Sequence, residues 1–122
     1  MMTTSRSKPI PSEYDEQVLV CRYLDFLGLD YCHIANEGLR SERAGARLKK
    51  IGLKRGFPDL AIFKACGKYH GLFIEMKSLR GTATKEQREW IVKLNTDGYY
   101  AKICRGFDEA RKVIDSYLKE EL

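Results

Sequence analysis

The segment that most restricts the possible folds is a short apolar run that ends in two charges of opposite sign. Residues 72–74 (Leu-Phe-Ile) are consecutive and apolar, which is typical of a strand covered on both faces of a sheet. The strand continues into Glu75-Met76-Lys77, where alternation brings Glu75 and Lys77 to one face and Met76 to the other. Charges at the end of a buried strand are costly unless they are paired or bind a metal ion. The run therefore predicts a central strand with a functional site at its end.

Helix and strand patterns alternate along the rest of the chain. Ser12 is a helix N-cap, Gly28 ends that helix, and Thr84 caps a later helix with Gln87 as its capping-box partner. The predicted elements are a helix over 13–27, a strand over 31–35, a hairpin with strands over 59–63 and 71–77, a helix from Thr84 to the stop at Asp97-Gly98, a strand over 99–104 and a helix over 107–118. This order, αβββαβα with a basic insertion after the second element, predicts an α/β fold with a mixed sheet flanked by helices.

Length and composition favour one soluble domain. The chain has 122 residues, 43% hydrophobic and 32% charged, so a single core should form without disulfide or zinc staples. The four cysteines have no ligand spacing, which predicts free thiols in a reducing cytoplasm, and His33 at mid-strand is expected to pack in the core. The N-terminus lacks the apolar core of a signal peptide, and no stretch approaches the ~20 apolar residues of a membrane span. We expect residues 1–11 to be a disordered lead-in and residues 12–122 to form the domain.

One segment accounts for the net charge of +5. Residues 40–55 carry seven cations against the single carboxylate of Glu42, whereas the rest of the chain is close to neutral. Such a block is either a solvated helix or loop, or a surface that binds a polyanion, and we favour nucleic acid. The candidate phosphate-binding residues of this basic insert (about 38–56) are Arg40, Arg43, Arg47, Lys49, Lys50, Lys54 and Arg55.

Two carboxylates are expected to converge at the predicted hairpin. Pro58-Asp59 opens one strand and Glu75 lies near the end of the next. Carboxylate oxygens suit Mg²⁺ or Mn²⁺, and a neighbouring lysine, Lys77, can orient an attacking water or neutralise a phosphoryl oxygen. The alternative is that Glu75 and Lys77 form a cross-strand surface pair and that Asp59 is a turn residue. We favour the catalytic interpretation because both motifs fall on adjacent strand ends.

These residues resemble the VRR-NUC branch of the PD-(D/E)XK nuclease superfamily, in particular its stand-alone phage and bacterial members. The resemblance runs from about residue 13 to 118 and joins an acidic first helix to the two strand motifs. It is carried by Glu13…Gln17…Tyr23-Leu24, Gly56-Phe57-Pro58-Asp59-Leu60, Glu75-Met76-Lys77, Gly81…Thr84…Gln87, Trp90 and Gly98-Tyr99. It implies a restriction-endonuclease-like core and a metal-dependent DNA endonuclease.

The resemblance also implies roles for the strand residues. Asp59 and Glu75 would bind Mg²⁺ or Mn²⁺ together with the backbone carbonyl of Met76. Lys77 would assist the nucleophilic water. The basic insert would bind the phosphate backbone, which brings affinity without sequence information.

The helix residues leave alternatives open. Gln87 would hold a water or the lysine, or would serve only as a capping partner. The first-helix acid that completes the metal site would be Glu13, with Glu16 as the alternative, since both lie near the apolar face of that helix.

The expected substrate is branched or otherwise structured DNA, such as a junction or a flap, and not a particular sequence. We expect a C2 homodimer, because stand-alone members are similar to Holliday-junction resolvases and two cuts need two sites. The competing interpretations are a DNA-binding module without chemistry and a ribonuclease. The intact acid and lysine set favours activity, and the lack of an obvious aromatic platform for single strands disfavours RNA. The expected setting is the cytoplasm of a bacterial or phage-infected cell.

Overall fold

A computed structural model describes residues 9–35 and 42–122, so residues 1–8 of the predicted lead-in, and Arg40, lie outside the described residues. Within those ranges the elements follow the predicted order. The helices are α1 (Glu13–Leu27), α2 (Glu42–Lys50), α3 (Lys85–Thr96) and α4 (Gly106–Leu118); the strands are β1 (Tyr31–His33), β2 (Leu60–Ile62), β3 (Leu72–Lys77) and β4 (Tyr100–Arg105).

The strands form one mixed sheet in the order β1-β2-β3-β4. The predicted hairpin is confirmed, because β2 and β3 pair antiparallel with Leu60 opposite Ile74. Strand β1 adds antiparallel to β2, whereas β4 runs parallel to β3 with Glu75 opposite Ile103. The predicted α/β class is therefore correct, and β3 is an interior strand of the sheet.

Both faces of β3 are covered, as its sequence predicts. One face is buried against apolar residues of α1 and α4, and it carries Leu72, Ile74 and Met76. On the opposite face Phe73 packs edge to face on Phe57, with the ring centroids 5.5 Å apart. Phe57 in turn contacts Trp90 of α3, with the centroids 4.9 Å apart. Glu75 lies on this second face, two residues beyond Phe73.

Local capping chemistry sets the helix ends. Ser12 Oγ accepts a hydrogen bond from the Asp15 backbone N–H at 3.0 Å, and Gly28 ends α1 with a φ of 71°. The bounds predicted for this helix, 13–27, are confirmed. The Thr84–Gln87 capping box at the start of α3 is confirmed as well.

Strand β1 is shorter than predicted, ending at His33 and not at residue 35. The shorter strand reflects its partner, since β2 begins at Leu60, which lies opposite His33. One further ladder bond, from the Ile34 N–H to the Asp59 carbonyl oxygen at 2.7 Å, follows the last paired residue.

The described part of the basic insert forms a helix, α2, in which no residue is buried. An exposed helix fits both alternatives expected for such a charge block, a solvated face and a surface that binds a polyanion. Among residues 9–35 and 42–122, no helix is both long enough and apolar enough to cross a membrane.

Candidate active site

Three carboxylates from three different elements meet at one end of the sheet. Glu13 opens α1, Asp59 directly precedes β2, and Glu75 lies in β3; one ligand oxygen from each falls within 4.8 Å of the others. Asp59 and Glu75 are 1% and 2% exposed, whereas Glu13 is half-buried. The structure thus brings together the two acids of the strand motifs and the preferred acid of the first helix. We refer to Glu13, Asp59 and Glu75 as the acidic cluster.

Asp59 is held from both neighbouring strands. Its Oδ2 accepts a hydrogen bond from the Met76 backbone N–H at 2.7 Å, which ties it to β3 one residue beyond Glu75. Its backbone carbonyl accepts a 2.7 Å hydrogen bond from the Ile34 N–H, at the end of β1. Since buried hydrogen bonds to a charged acceptor are the strong ones, these contacts hold the carboxylate and its backbone in one position.

His33 is exposed, so the expectation that it packs in the core is wrong. β1 is an edge strand, and its last residue lies at the rim of the sheet. The His33 Nδ1 lies 3.0 Å from the Asp59 carbonyl oxygen and 2.9 Å from the Gln17 Nε2 of α1. Nδ1 donates to the Asp59 carbonyl in one tautomer and accepts from the Gln17 amide in the other, so the ring lies between α1, one turn beyond Glu13, and the backbone of Asp59. No feature of the local sequence indicated this contact, because it joins residues that are distant in the chain.

Glu16, the alternative to Glu13, lies elsewhere. Its Oε2 accepts a 2.9 Å hydrogen bond from the backbone N–H of Phe107, in the first turn of α4, and the residue is 7% exposed. A carboxylate at a helix N-terminus satisfies an otherwise unpaired N–H and suits the helix dipole. Glu16 is thus engaged in helix packing and is not part of the acidic cluster.

Lys77 is the last residue of β3, and Gln87 lies in the first turn of α3. Lys77 follows Glu75 by two residues on the same face of β3 and is half-buried. Gln87 is in the first turn of α3, where its Oε1 accepts a 2.9 Å hydrogen bond from the Thr84 N–H. The capping role expected for Gln87 is present.

A glycine brings α3 close to the segment that carries Asp59. Gly56 has a φ of 84°, and a Cβ built on it would lie 2.8 Å from the backbone nitrogen of Gln87. Only a residue without a side chain permits this approach. Three residues later, Asp59 enters the acidic cluster, so the Gly-Phe-Pro-Asp segment is positioned by α3 on one side and by β3 on the other.

The described cations of the basic insert are exposed and lie on or just after α2. They are Arg43, Arg47, Lys49, Lys50, Lys54 and Arg55. Arg40 lies outside the described residues. The described part of the insert therefore presents positive charge to solvent.

Comparison with known proteins identifies the family. The family model for the VRR-NUC domain matches residues 3–108, which include the whole acidic cluster and Lys77. The chain belongs to the VRR-NUC domain family. The resemblance read from its motifs is thereby confirmed, and with it membership of a nuclease family.

Solved structures agree with this assignment. A VRR_NUC domain protein is 31% identical to this chain, with a TM-score of 0.76 and coverage of 91% of each chain. A second structure, of a VRR_NUC domain, shares 21% identity with a TM-score of 0.60, covering 86% of this chain and 96% of its own, and supports the fold alone. No curated protein matches the sequence. The core of this VRR-NUC domain is therefore restriction-endonuclease-like, as expected.

The acidic cluster of this VRR-NUC domain suits a divalent cation. At 4.8 Å, two ionised carboxylates repel each other by roughly 3.5 kcal/mol if the effective dielectric constant is about 20. A divalent cation held by the three carboxylates would replace this repulsion with attraction. The donors are all hard oxygens, which Mg²⁺ and Mn²⁺ prefer over the sulfur and nitrogen ligands of zinc sites.

A groove of about 570 Å³ runs beside the cluster along α1. One end is lined by Glu13, and the groove extends past Gln17 and Cys21 to Asp25, with His33 of β1 also in its lining. Asp25 accepts a 2.9 Å hydrogen bond from the hydroxyl of Tyr31, which joins α1 to β1 here as well. The acidic cluster is therefore continuous with a concave surface on the exposed side of α1.

Proposed function

We propose that this VRR-NUC domain is a metal-dependent DNA endonuclease that selects branched or structured DNA and not a particular sequence. The observation that carries the proposal is the convergence of Glu13, Asp59 and Glu75 within 4.8 Å, with Lys77 on the same strand face as Glu75. Membership of a nuclease family gives the reaction class, hydrolysis of a phosphodiester bond.

In this proposal, Glu13, Asp59 and Glu75 hold Mg²⁺ or Mn²⁺, and the backbone carbonyl of Met76 is a further ligand. The ion, when bound, supplies Lewis-acid chemistry by stabilising charge on a phosphoryl oxygen and by making water more acidic. The hydrogen bond from the Met76 N–H to Asp59 Oδ2 fixes the carboxylate in the position from which it would hold the ion.

The remaining catalytic work falls to two side chains. Lys77 orients the attacking water and neutralises the negative charge that develops on the phosphoryl group. The Gln87 amide nitrogen can donate to a water, whereas Lys77, itself a donor, can be held only by the Gln87 Oε1, which also accepts from the Thr84 N–H at 2.9 Å. The capping role and the catalytic role of Gln87 are therefore compatible.

The basic insert would supply affinity for the phosphate backbone. Backbone contacts fix the position of the protein on DNA but carry no sequence information. Neutralising Arg47, Lys49 and Lys50 together should weaken binding and reduce the slope of log K against log salt by up to about 0.9 for each lost contact.

The matched control removes the same charge elsewhere, from the exposed residues Lys64, Lys112 and Lys119. Measuring DNA affinity by fluorescence anisotropy at several salt concentrations separates a local contact from an effect of net charge. Equal slopes for the two triple variants would mean that the insert is only a solvated face.

We also propose that the active form is a C2 homodimer acting in the cytoplasm of a bacterial or phage-infected cell. Two symmetric sites allow both strands of a branched substrate to be cut. Light scattering should give a species near twice the 14.1 kDa chain mass, with or without DNA. A 14.1 kDa species alone under both conditions would contradict the dimer.

The central experiment is a cleavage assay on labelled duplex, single-stranded, flap and four-way-junction DNA, and on RNA, with Mg²⁺, Mn²⁺ or EDTA. Wild type should cut a branched DNA only with metal, and Glu75→Gln should reduce cutting to background. The control Glu89→Gln changes an exposed acid on α3 and should behave as wild type. Calorimetric titration with Mn²⁺ should show binding to wild type and not to Glu75→Gln.

The other outcomes are equally informative. Cleavage by Glu75→Gln at the wild-type rate would refute the assigned site. Salt-dependent DNA binding without cleavage of any substrate would favour the binding-module interpretation. Cleavage confined to RNA would make the protein a ribonuclease that uses the same residues.

A further inference from the structure

The groove along α1 has the size of a ligand site. Its volume of about 570 Å³ lies within the ~300–1,000 Å³ that small-molecule sites occupy. From Glu13 at one end to Asp25 at the other it follows α1 for about 18 Å, at a rise of about 1.5 Å per residue. One or two nucleotides of a single strand are of the size that such sites bury, whereas a duplex segment with its two paired strands is larger.

The lining of the groove suits a base better than a phosphate. The charged residues that line the groove are the acids Glu13 and Asp25 and the single base Arg22, so the groove has no excess of positive charge. The cations for the phosphate backbone lie instead on the basic insert. The Gln17 amide, whose Nε2 lies 2.9 Å from His33 Nδ1, also has an Oε1 acceptor and a second N–H that match the hydrogen-bonding edge of a nucleobase.

An exposed aromatic ring stands where the groove meets the acidic cluster. Tyr14 lines the groove, follows Glu13 directly in the chain and is 76% exposed. A tyrosine this exposed contributes little to the core, whereas aromatic side chains that face single-stranded nucleic acid serve as stacking surfaces for bases. Beyond the first turn, Val18 and Cys21 provide apolar lining.

We propose that this groove holds an unpaired nucleotide of the substrate, stacked on Tyr14, next to the phosphate that is cut. The inference rests on the proposed nuclease function and extends it, because it names the feature that the enzyme selects. A junction or flap with a single-stranded arm offers such a nucleotide, and a continuous duplex does not without the cost of unstacking a base.

The test compares Tyr14→Ala, Tyr14→Phe and Phe26→Ala. Phe26 is also on α1 and is 83% exposed, but it does not line the groove. On DNA with a single-stranded arm, Tyr14→Ala should lower kcat/KM by roughly 5- to 150-fold, the range expected for loss of one base–aromatic stack. Tyr14→Phe, which keeps the ring, and Phe26→Ala should remain near wild type. The rate at which blunt duplex is cut should be the same in wild type and in the three variants.

A binding measurement reads the same contact without cleavage. In the Glu75→Gln background, 2-aminopurine is placed at successive positions of the single-stranded arm. Stacking on Tyr14 should quench its fluorescence at one position beside the cut site, and only the added Tyr14→Ala change should abolish the quenching. Because Tyr14 carries no charge, the salt slope of binding should not change.

The outcomes distinguish this inference from the function on which it rests. If wild type cuts and Tyr14→Ala is indistinguishable from it on arm-bearing DNA, the groove site is wrong and the nuclease proposal stands. If wild type cuts no substrate, the nuclease proposal fails, and the 2-aminopurine fluorescence then tests by itself whether the groove binds a single strand. Quenching that depends on Tyr14 upholds a single-strand site; its absence overturns that site too.

Discussion

Glu13 and Glu16 lie one turn apart on α1, and the structure predicts opposite consequences for their removal. Glu16→Ala deletes the carboxylate that accepts the 2.9 Å hydrogen bond from Phe107 N–H at the start of α4. Hydrogen bonds to charged groups contribute about 1.5–3 kcal/mol. For 122 residues the unfolding entropy is roughly 0.26 kcal/mol/K, so Tm should fall by about 6–12 °C. Metal binding should persist, because Glu16 is outside the acidic cluster.

Glu13→Ala should leave the Tm nearly unchanged and abolish metal binding. It removes one carboxylate from a cluster of three that repel one another, and it forfeits about 0.3–1 kcal/mol of favourable interaction with the dipole of α1. Tm in EDTA should therefore change little. Metal affinity and cleavage should both be lost.

The assay is thermal unfolding of both variants and wild type, in EDTA and in Mn²⁺. A ligand present at 100 times its Kd stabilises the folded state by about 2.7 kcal/mol, which here corresponds to a rise in Tm of about 10 °C. Wild type and Glu16→Ala should show this rise, and Glu13→Ala should not. If Glu16→Ala loses the metal response while Glu13→Ala keeps it, the choice of Glu13 is wrong.

Three further predictions concern Lys77, Gly56 and Cys104. Lys77→Ala should abolish cleavage but leave Mn²⁺ affinity unchanged by calorimetry, whereas Lys102→Ala, which alters an exposed lysine on the adjacent strand, should be silent in both assays. Gly56→Ala should lower the free energy of unfolding by about 1–3 kcal/mol in urea titrations, because the new Cβ would lie 2.8 Å from the α3 backbone at a φ of 84°. The control Gly45→Ala should not lower it, because a Cβ at Gly45 would meet no atom within 4 Å. Burial raises the pKa of Cys104 to about 12 from the ordinary 9.0, so the thiol of the native protein stays protonated at pH 8 and should resist iodoacetamide until urea unfolds the protein. The contribution of this thiol to the free energy of unfolding should be lost as pH rises from about 9 to 12. Rapid alkylation of the native protein would contradict this reasoning.

The parts of the fold that sequence predicted well are those set by neighbours in the chain. The N-cap Ser12 and the terminal Gly28 define α1 through contacts within four residues, so its bounds could be read directly. The two motif acids were also accessible, because a hairpin between Asp59 and Glu75 follows from the turn and the strand alternation. Local chemistry and short-range topology were sufficient in both cases.

The parts that sequence could not predict depend on distant partners. His33 looked like a core residue because its strand is β-prone, but β1 lies at the edge of the sheet and the ring lies at the rim against Asp59. The role of Glu16 depends on Phe107, 91 positions later. Tyr14 escaped notice because exposure is not visible in a sequence, although an aromatic residue directly beside a candidate metal ligand was a usable signal.

The first turn of α1 explains why this helix must begin where it does. A helix advances about 100° per residue, so four consecutive side chains leave it in four directions. Glu13 enters the acidic cluster, Tyr14 lines the groove, Asp15 completes the capping box with Ser12, and Glu16 reaches the start of α4. If α1 began one residue later, Glu13 would leave the helical backbone and its side chain would take another direction, whereas the packing of Val20 and Leu24 would keep the rest of the helix in place. The capping box thus does more than stabilise a helix end: by fixing the first residue of α1, it fixes the direction of the metal-binding acid.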